Sequence, residues 1–259
     1  MLISLDFTDL VLIFGLMAIA IGLSVSGGLG LEFKLITSAG RAFSQLVVLG
    51  YVLAIVFDPT TSQPLLVIAL IMAMITLVAI VSRNRISRQV PQLLLWVWVS
   101  LFISTAAIAL YIIFLIIQPP QPTTPQYLIP MVAAILASTM NAAIVSGNHL
   151  VNSLNTHNIE IETHLSLGAT HHQAINHYRR EAIKAGLTPT LNAMAIVGAV
   201  TLPGILTGQL LADINPLDAV SYQILILFAI VPANLLATII LSFAIGRQFF
   251  NSQQQLQHY

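Results

Sequence analysis

Residues 92–117 read QLLLWVWVSLFISTAAIALYIIFLII, a run with no charged side chain. A helix needs about 20 mostly apolar residues to cross the hydrocarbon of a bilayer, so this run can span it with some tilt. A membrane β-barrel would instead show alternating segments of about ten residues, and the run does not alternate. Similar runs lie at roughly 7–26, 42–57, 64–82, 128–148, 186–211 and 219–246. The expected fold is all-α, a polytopic integral membrane helix bundle of about seven transmembrane helices. Residues 1–259 are expected to form one permease-like domain.

Composition supports lipid as the main solvent. Hydrophobic residues make up 57% and charged ones 7%, against about 25% charged in soluble domains. The net charge of zero argues against a nucleic-acid partner held by counterion release. With no cysteine, disulfides, thiolate catalysis and Cys-ligated metals are excluded. The opening MLISLDFTDL carries acids but no Lys or Arg. A cleavable signal peptide has a positive leading region, so the first run is expected to stay as a membrane helix.

Basic residues set the orientation, because Lys and Arg concentrate on the cytoplasmic side. Seven crossings with the N-terminus outside and the C-terminus inside place Lys34, Arg41, Arg83, Arg85, Arg88, Arg179, Arg180, Lys184 and Arg247 all in the cytoplasm. The external side keeps only acids: Asp6, Asp9, Asp58, Asp213 and Asp218. Two short connections, DPTTSQ (58–63) and the proline-rich QPPQPTTPQY (118–127), lie outside. Residues 148–185 then form a long polar cytoplasmic island between spans five and six.

At the centre of the island is ETHLSLGATHHQA (162–174). From Ile159 the apolar spacing is helical, and Gly168 interrupts it. Glycine costs about 1 kcal/mol inside a helix, so a turn is expected there, with a second short helix starting near the N-cap Thr170. A helix–turn–helix lying across the cytoplasmic face is suited to docking.

Several stretches carry a family resemblance: SAGRAFSQLVVLGYVLAIVF (38–57), LSLGAT (165–170), GLTPT (186–190), VTLPGILTGQL (200–210) and INPLDAVSYQI (214–224). Over roughly residues 31 to 255 the chain resembles the FetB/YbbM-type ABC transporter permease family. These are bacterial membrane subunits linked to iron export, related to plant aluminium-tolerance permeases. Importer permeases mark their coupling helix with a Glu six residues before a Gly, and Glu162 stands so before Gly168. The resemblance implies an ATPase-coupling element made of Glu162, Leu165, Leu167, Gly168, Ala169, Thr170 and Ala174. Leu165, Leu167, Ala169 and Ala174 would be its apolar contact with a separate ABC ATPase subunit. It also implies an assembly of two such chains, a homodimer, in the bacterial cytoplasmic (inner) membrane.

The chain departs from the family pattern within the spans. The fifth span has Ala137-Ser138-Thr139-Met140-Asn141 where the family carries Gly-Asn-small-Met. In the sixth, an Asp and a Lys three residues on are replaced by Asn192 and Ala195. Losing both charges together avoids an unpaired charge in lipid. Leu-Pro-Gly is followed by Ile205 and Leu206 instead of two methionines, which weakens a soft-metal reading.

Pro189, Pro203 and Gly204 interrupt the sixth run, and broken helices can expose backbone groups along a path. Ser138, Thr139, Asn141, Asn192, Thr201, Pro203, Gly204, Thr207 and Gln209 form the expected translocation path, although a packing kink and ordinary helix–helix hydrogen bonding explain them too. His157, His164 and His171 recur every seven residues and would share a helical face. The turn at Gly168 would break such a metal-sensing face, so a solvated loop is expected. Ser146 and His149 lie on one helix without oxyanion donors, so no catalytic pair is expected. Arg41, with Gln45 one turn on, is expected to snorkel to the interface.

The chain has no G-x-x-x-x-G-K-[ST], so it holds no nucleotide in that manner, and no cofactor is expected. The expected function is the membrane subunit of an ABC transporter, exporting iron or another metal or small solute. The alternative is an ATP-independent carrier or channel. No paired ionisable residues within the spans favour a proton-coupled carrier, and no nucleophile and base on different helices favour a hydrolase.

Overall fold

The structure, a computed structural model, describes residues 7–58, 64–251 and 255–257, with the side chains of 7–11 left out. Asp6, the side chain of Asp9 and residues 59–63 of the expected turn therefore lie outside the described residues. The chain divides into two compact units, residues 1–63 and 64–259.

The first unit holds α1 (Phe7–Ser26) and α2 (Glu32–Val56). Gly28 and Gly30, at φ of 60° and 65°, turn the chain between them. Such angles strain any side chain with a Cβ. The Ser24 hydroxyl donates to the Glu32 carboxylate across 2.9 Å and accepts from the Leu31 N–H at 3.2 Å. This explains why α2 begins at Glu32 and not near 42, where hydropathy first rises. Lys34 and Arg41 therefore sit on the helix itself.

The second unit contains α3 (Pro64–Ile86), α4 (Leu93–Tyr111), a π-helical segment (Ile112–Ile117), α5 (Pro125–Thr156), α6 (Asn158–Ser166), α7 (His171–Ile196), α8 (Gly204–Leu211) and α9 (Pro216–Gln248). The central helix is α5, which packs on α3, α4, α7 and α9. Gly147 lets α3 approach it, since a Cβ there would fall 2.7 Å from Ile86 Cδ1. At the far end of α9, Gln248 bonds the carbonyl of Pro91 and the indole of Trp96, stitching α9 to the start of α4. The π-helical segment continues α4 to Gln118, which has φ 45° and precedes two prolines. The residue before a proline avoids the α-region, so the helix stops there.

Among the described residues, five helices are long and apolar enough to cross a membrane: α2, α3, α4 with its π-helical extension, α5 and α9. The sequence suggested about seven. Of α1, the segment Leu12–Ser26 is a shorter apolar helix. The sixth expected span, 186–211, is not one helix. It comprises the second half of α7, a turn and α8. The break falls at Val197–Pro203, where Gly198 is left-handed at φ 81° and its N–H bonds the carbonyl of Thr201 at 3.0 Å. Pro189 instead lies inside α7. The second helix of the island is also not short, because it is the first half of α7.

Candidate functional site

The site begins at the turn between α6 and α7. Gly168 has φ 89°. Its N–H bonds the carbonyl of Leu165, and that of Ala169 bonds His164, both at 3.0 Å, which closes the end of α6. Thr170 then caps α7. Its hydroxyl accepts from the Gln173 N–H at 3.3 Å, while the Gln173 side chain accepts from the Thr170 N–H at 2.9 Å. This reciprocal capping box satisfies two donors that a helix start leaves free. Underneath, Ile161 is fully buried and Leu165 half-buried against the core.

The residues of the expected apolar contact differ in exposure. Ala174 lies inside the core, Ala169 and Leu165 are half-buried, and Glu162 is exposed. The open apolar side chains are Leu167 at the turn, 80% exposed, and Ile159 at the start of α6, 77% exposed. Ile159 was not expected there. An amphipathic pattern identifies an apolar face but not what that face meets, and here most of it meets the protein's own core. His157 lies in the junction between α5 and α6, His164 on α6 and His171 at the start of α7. Among the described residues, no three His, Asp or Glu side chains come together as a metal site.

Just beyond the cap, α7 meets the end of α9. The Arg179 guanidinium carbon lies 3.4 Å from the ring centroid of Phe243. The close approach depends on Gly246, where a Cβ would meet Ile175 Cδ1 at 2.7 Å. Burial pulls the Arg179 pKa down from its ordinary value, yet a guanidinium remains charged in proteins. His171 and His172 have ring centroids 4.1 Å apart. Burial, then the charges of His172 and Arg247, hold the His171 pKa below its usual 6.5. Tyr178 is pushed up to about 12, first by burial and then by the Glu160 carboxylate.

Further along, α5, α7 and α9 meet at Gly186, where a Cβ would sit 2.8 Å from the backbone oxygen of Ala142. Next to this contact, the fully buried Asn234 on α9 donates its amide to Ser138 on α5 at 2.9 Å and to Thr190 on α7 at 2.8 Å. The Asn234 Oδ1 is buried without a partner. Ser138, Asn141 and Thr190 line a cavity of about 190 Å³ that also reaches Pro189 and Leu227. A second cavity of about 200 Å³ shares Leu227 and is bounded by Gly198, Pro203 and Gln223. No charged side chain lines either one.

Of the expected path residues, the structure brings Ser138 and Asn141 to the first cavity and Pro203 to the second. Thr139 is elsewhere, fully buried, its hydroxyl donating to the carbonyls of Ile135 and Leu136 on its own helix at 3.0 Å. Asn192 is exposed on α7, and Thr201 is exposed in the break. Gly204 opens α8, and the Thr207 hydroxyl donates back to the Pro203 carbonyl at 3.2 Å. Gln209 buries an unpaired Oε1. Thr190, Asn234 and Gln223 were missed. In the case of Asn234 a signal existed, a lone amide beside Pro232 in an apolar run.

The family described as "Uncharacterised protein family (UPF0014)" matches residues 7–250. The chain is 48% identical to "UPF0014 membrane protein slr1647" of Synechocystis, over 98% of each chain. It is 32% identical to "Probable iron export permease protein FetB" of Escherichia coli, over 93% of this chain and 91% of that one. To "Protein ALUMINUM SENSITIVE 3" of Arabidopsis thaliana it is 30% identical, over 92% of this chain and 85% of that one. No solved structure matches. These similarities extend over nearly the whole chain, including the capped turn and the three-helix junction, and the chain belongs to the UPF0014 family of membrane proteins.

Proposed function

We propose that this chain is the membrane subunit of an ABC transporter, working as a homodimer with a separate ATPase subunit. On this reading the chain crosses the bacterial cytoplasmic membrane seven times, with α7, the break and α8 together as the sixth crossing. The N-terminus lies outside and the C-terminus inside. The relative named as an iron export permease supports export of iron or another metal or small solute. The chain itself performs no catalysis.

The observation that carries this reading is the continuity of α7. It starts at the glycine turn, where Leu167 is open, and runs without interruption past Gly186 to Thr190 and on to Ile196. At 1.5 Å per residue, its 26 residues make a rod about 39 Å long. A displacement of the turn by an ATPase is then transmitted directly to the Ser138–Asn234–Thr190 junction. ATP binding would close the ATPase pair and shift the bundle between inward- and outward-facing states.

The test is co-purification from native membranes, with the parent chain compared with Leu167→Asp, Ile159→Asp and Gly168→Pro. The expected result is an ABC-type ATPase that accompanies the parent and is lost from the variants. If the ATPase stays bound to all three, the docking turn is wrong. If none is captured even after crosslinking in the membrane, the ATP-independent carrier or channel replaces this reading.

A further inference from the structure

Arg179 is 8% exposed, and its Nε is buried without a hydrogen-bond partner. No carboxylate among the described residues pairs with it; the ion pairs nearby are Lys184–Glu181 and His164–Glu160. Buried charges are ordinarily paired. A phenylalanine face supplies part of that compensation but no hydrogen-bond acceptor. The ring beneath the guanidinium, Phe243, is itself 44% exposed, so this corner of the bundle is open on one side.

Two more donors surround that opening. The exposed His172 ring stands edge-on to Phe243 with centroids 6.3 Å apart. Arg247, also exposed, is four residues beyond Phe243, one turn along α9. The corner thus combines positive charge, an unpartnered buried donor and an aromatic platform. In the other direction along α9, the exposed Leu236 lies seven residues before Phe243 and on the same face. This face belongs to a helix long and apolar enough to cross the membrane. The complementary ligand therefore has an anionic group at one end and hydrocarbon at the other.

We propose that Arg179, Arg247 and His172 bind the phosphate of an anionic phospholipid, whose acyl chain lies along Phe243 and Leu236. Basic pockets at the ends of membrane helices suit such headgroups. Bidentate guanidinium contact would give Arg179 the acceptor it lacks. The lipid would bridge α7 to α9 at the base of the α7 rod, where it stabilises the position of the docking turn.

The same anion chemistry is offered by free phosphate or by a carboxylate of a partner protein, and the experiment separates them. The chain is reconstituted in nanodiscs of phosphatidylcholine with a minority of phosphatidylglycerol, released into mild detergent, and examined by native mass spectrometry. Phosphatidylglycerol is expected to be retained over phosphatidylcholine. Arg179→Gln should lower that retention roughly tenfold, the loss of one hydrogen bond to a charged group. Because Arg179 is buried, the exposed Arg247→Gln is the control against misfolding and should lower retention as well. A photoreactive phosphatidylglycerol with its diazirine in the acyl chain should label α9 around Leu236 and Phe243. The proposal is overturned if the two lipids are retained equally, or if Arg247→Gln leaves retention unchanged. It is also overturned if inorganic phosphate displaces the lipid completely, or if the label appears on a co-purified protein and not on α9.

Discussion

The side-chain amide of Asn234 on α9 donates to the hydroxyl of Thr190 on α7 across 2.8 Å, with Ser138 of α5 taking its second hydrogen at 2.9 Å. One residue thereby ties together three helices. Its removal strands two hydroxyls that line the adjoining cavity. Asn234→Leu is expected to cost about 1–3 kcal/mol, read as a lower thermal midpoint of the detergent-solubilised protein. Thr190→Val alone should cost less, because Ser138 remains. A double-mutant cycle of Thr190→Val and Asn234→Leu should show strong coupling, and additive effects would refute the hub.

Two glycines at helix crossings make contrasting predictions. A methyl at Gly186 meets the backbone oxygen of Ala142 at 2.8 Å, whereas at Gly246 it meets the tip of the Ile175 side chain at 2.7 Å. Backbone cannot step aside, but a side-chain tip can rotate. Gly186→Ala is expected to destabilise by about 1–3 kcal/mol and Gly246→Ala by less. Thermal unfolding of both variants checks the order.

The capping box at Thr170 predicts a local effect. Thr170→Ala should cost about 1 kcal/mol and speed amide exchange in the first turn of α7. Exchange around Asn234 should not change. Gly168→Ala is strained by the left-handed backbone, and here the added methyl meets no neighbour. Its cost should therefore be conformational only, about 1 kcal/mol.

A pH dependence follows from His171. Its pKa in the folded chain lies below the unfolded value of 6.5, so the unfolded chain takes up the proton first as pH falls. Stability therefore declines as pH drops through 6.5 and below, and is unaffected by this residue well above it. His171→Phe should flatten the acid limb of a stability–pH profile between about pH 7 and pH 5. An unchanged profile would mean that His171 binds its proton equally well in both states.

The long apolar runs and the Gly168–Thr170 turn were legible because each depends on nearby residues. Hydropathy marks a span, and glycine followed by a capping threonine marks a helix boundary. Other features needed tertiary information. The first half of α7 is polar and reads as a short separate helix, yet it continues to Ile196, with Ile175, Tyr178 and Ala182 burying it against the core. The interruption of the sixth run was legible from Pro203 and Gly204, but not its start at Val197, which lies within a stretch of apolar and small residues. Ala174 and Leu167 are equally apolar in sequence, but one faces inward and the other outward. Asn234 makes its importance only through Ser138 and Thr190, which are distant along the chain.

The π-helical segment at Ile112–Ile117 bears on how this chain tolerates changes in length. Deleting one residue from an α-helix rotates everything beyond it by about 100°, taking packed side chains out of their contacts. A π-turn carries a surplus residue, as though an insertion had already been absorbed. Removing Ile116 should let the segment tighten to ordinary α-geometry, with Leu93–Tyr111 left in register with α9. The same deletion at Ser104, within α4, would rephase the packed face. Evolutionary gain or loss of a residue in this helix is thus expected to concentrate at its wide last turn.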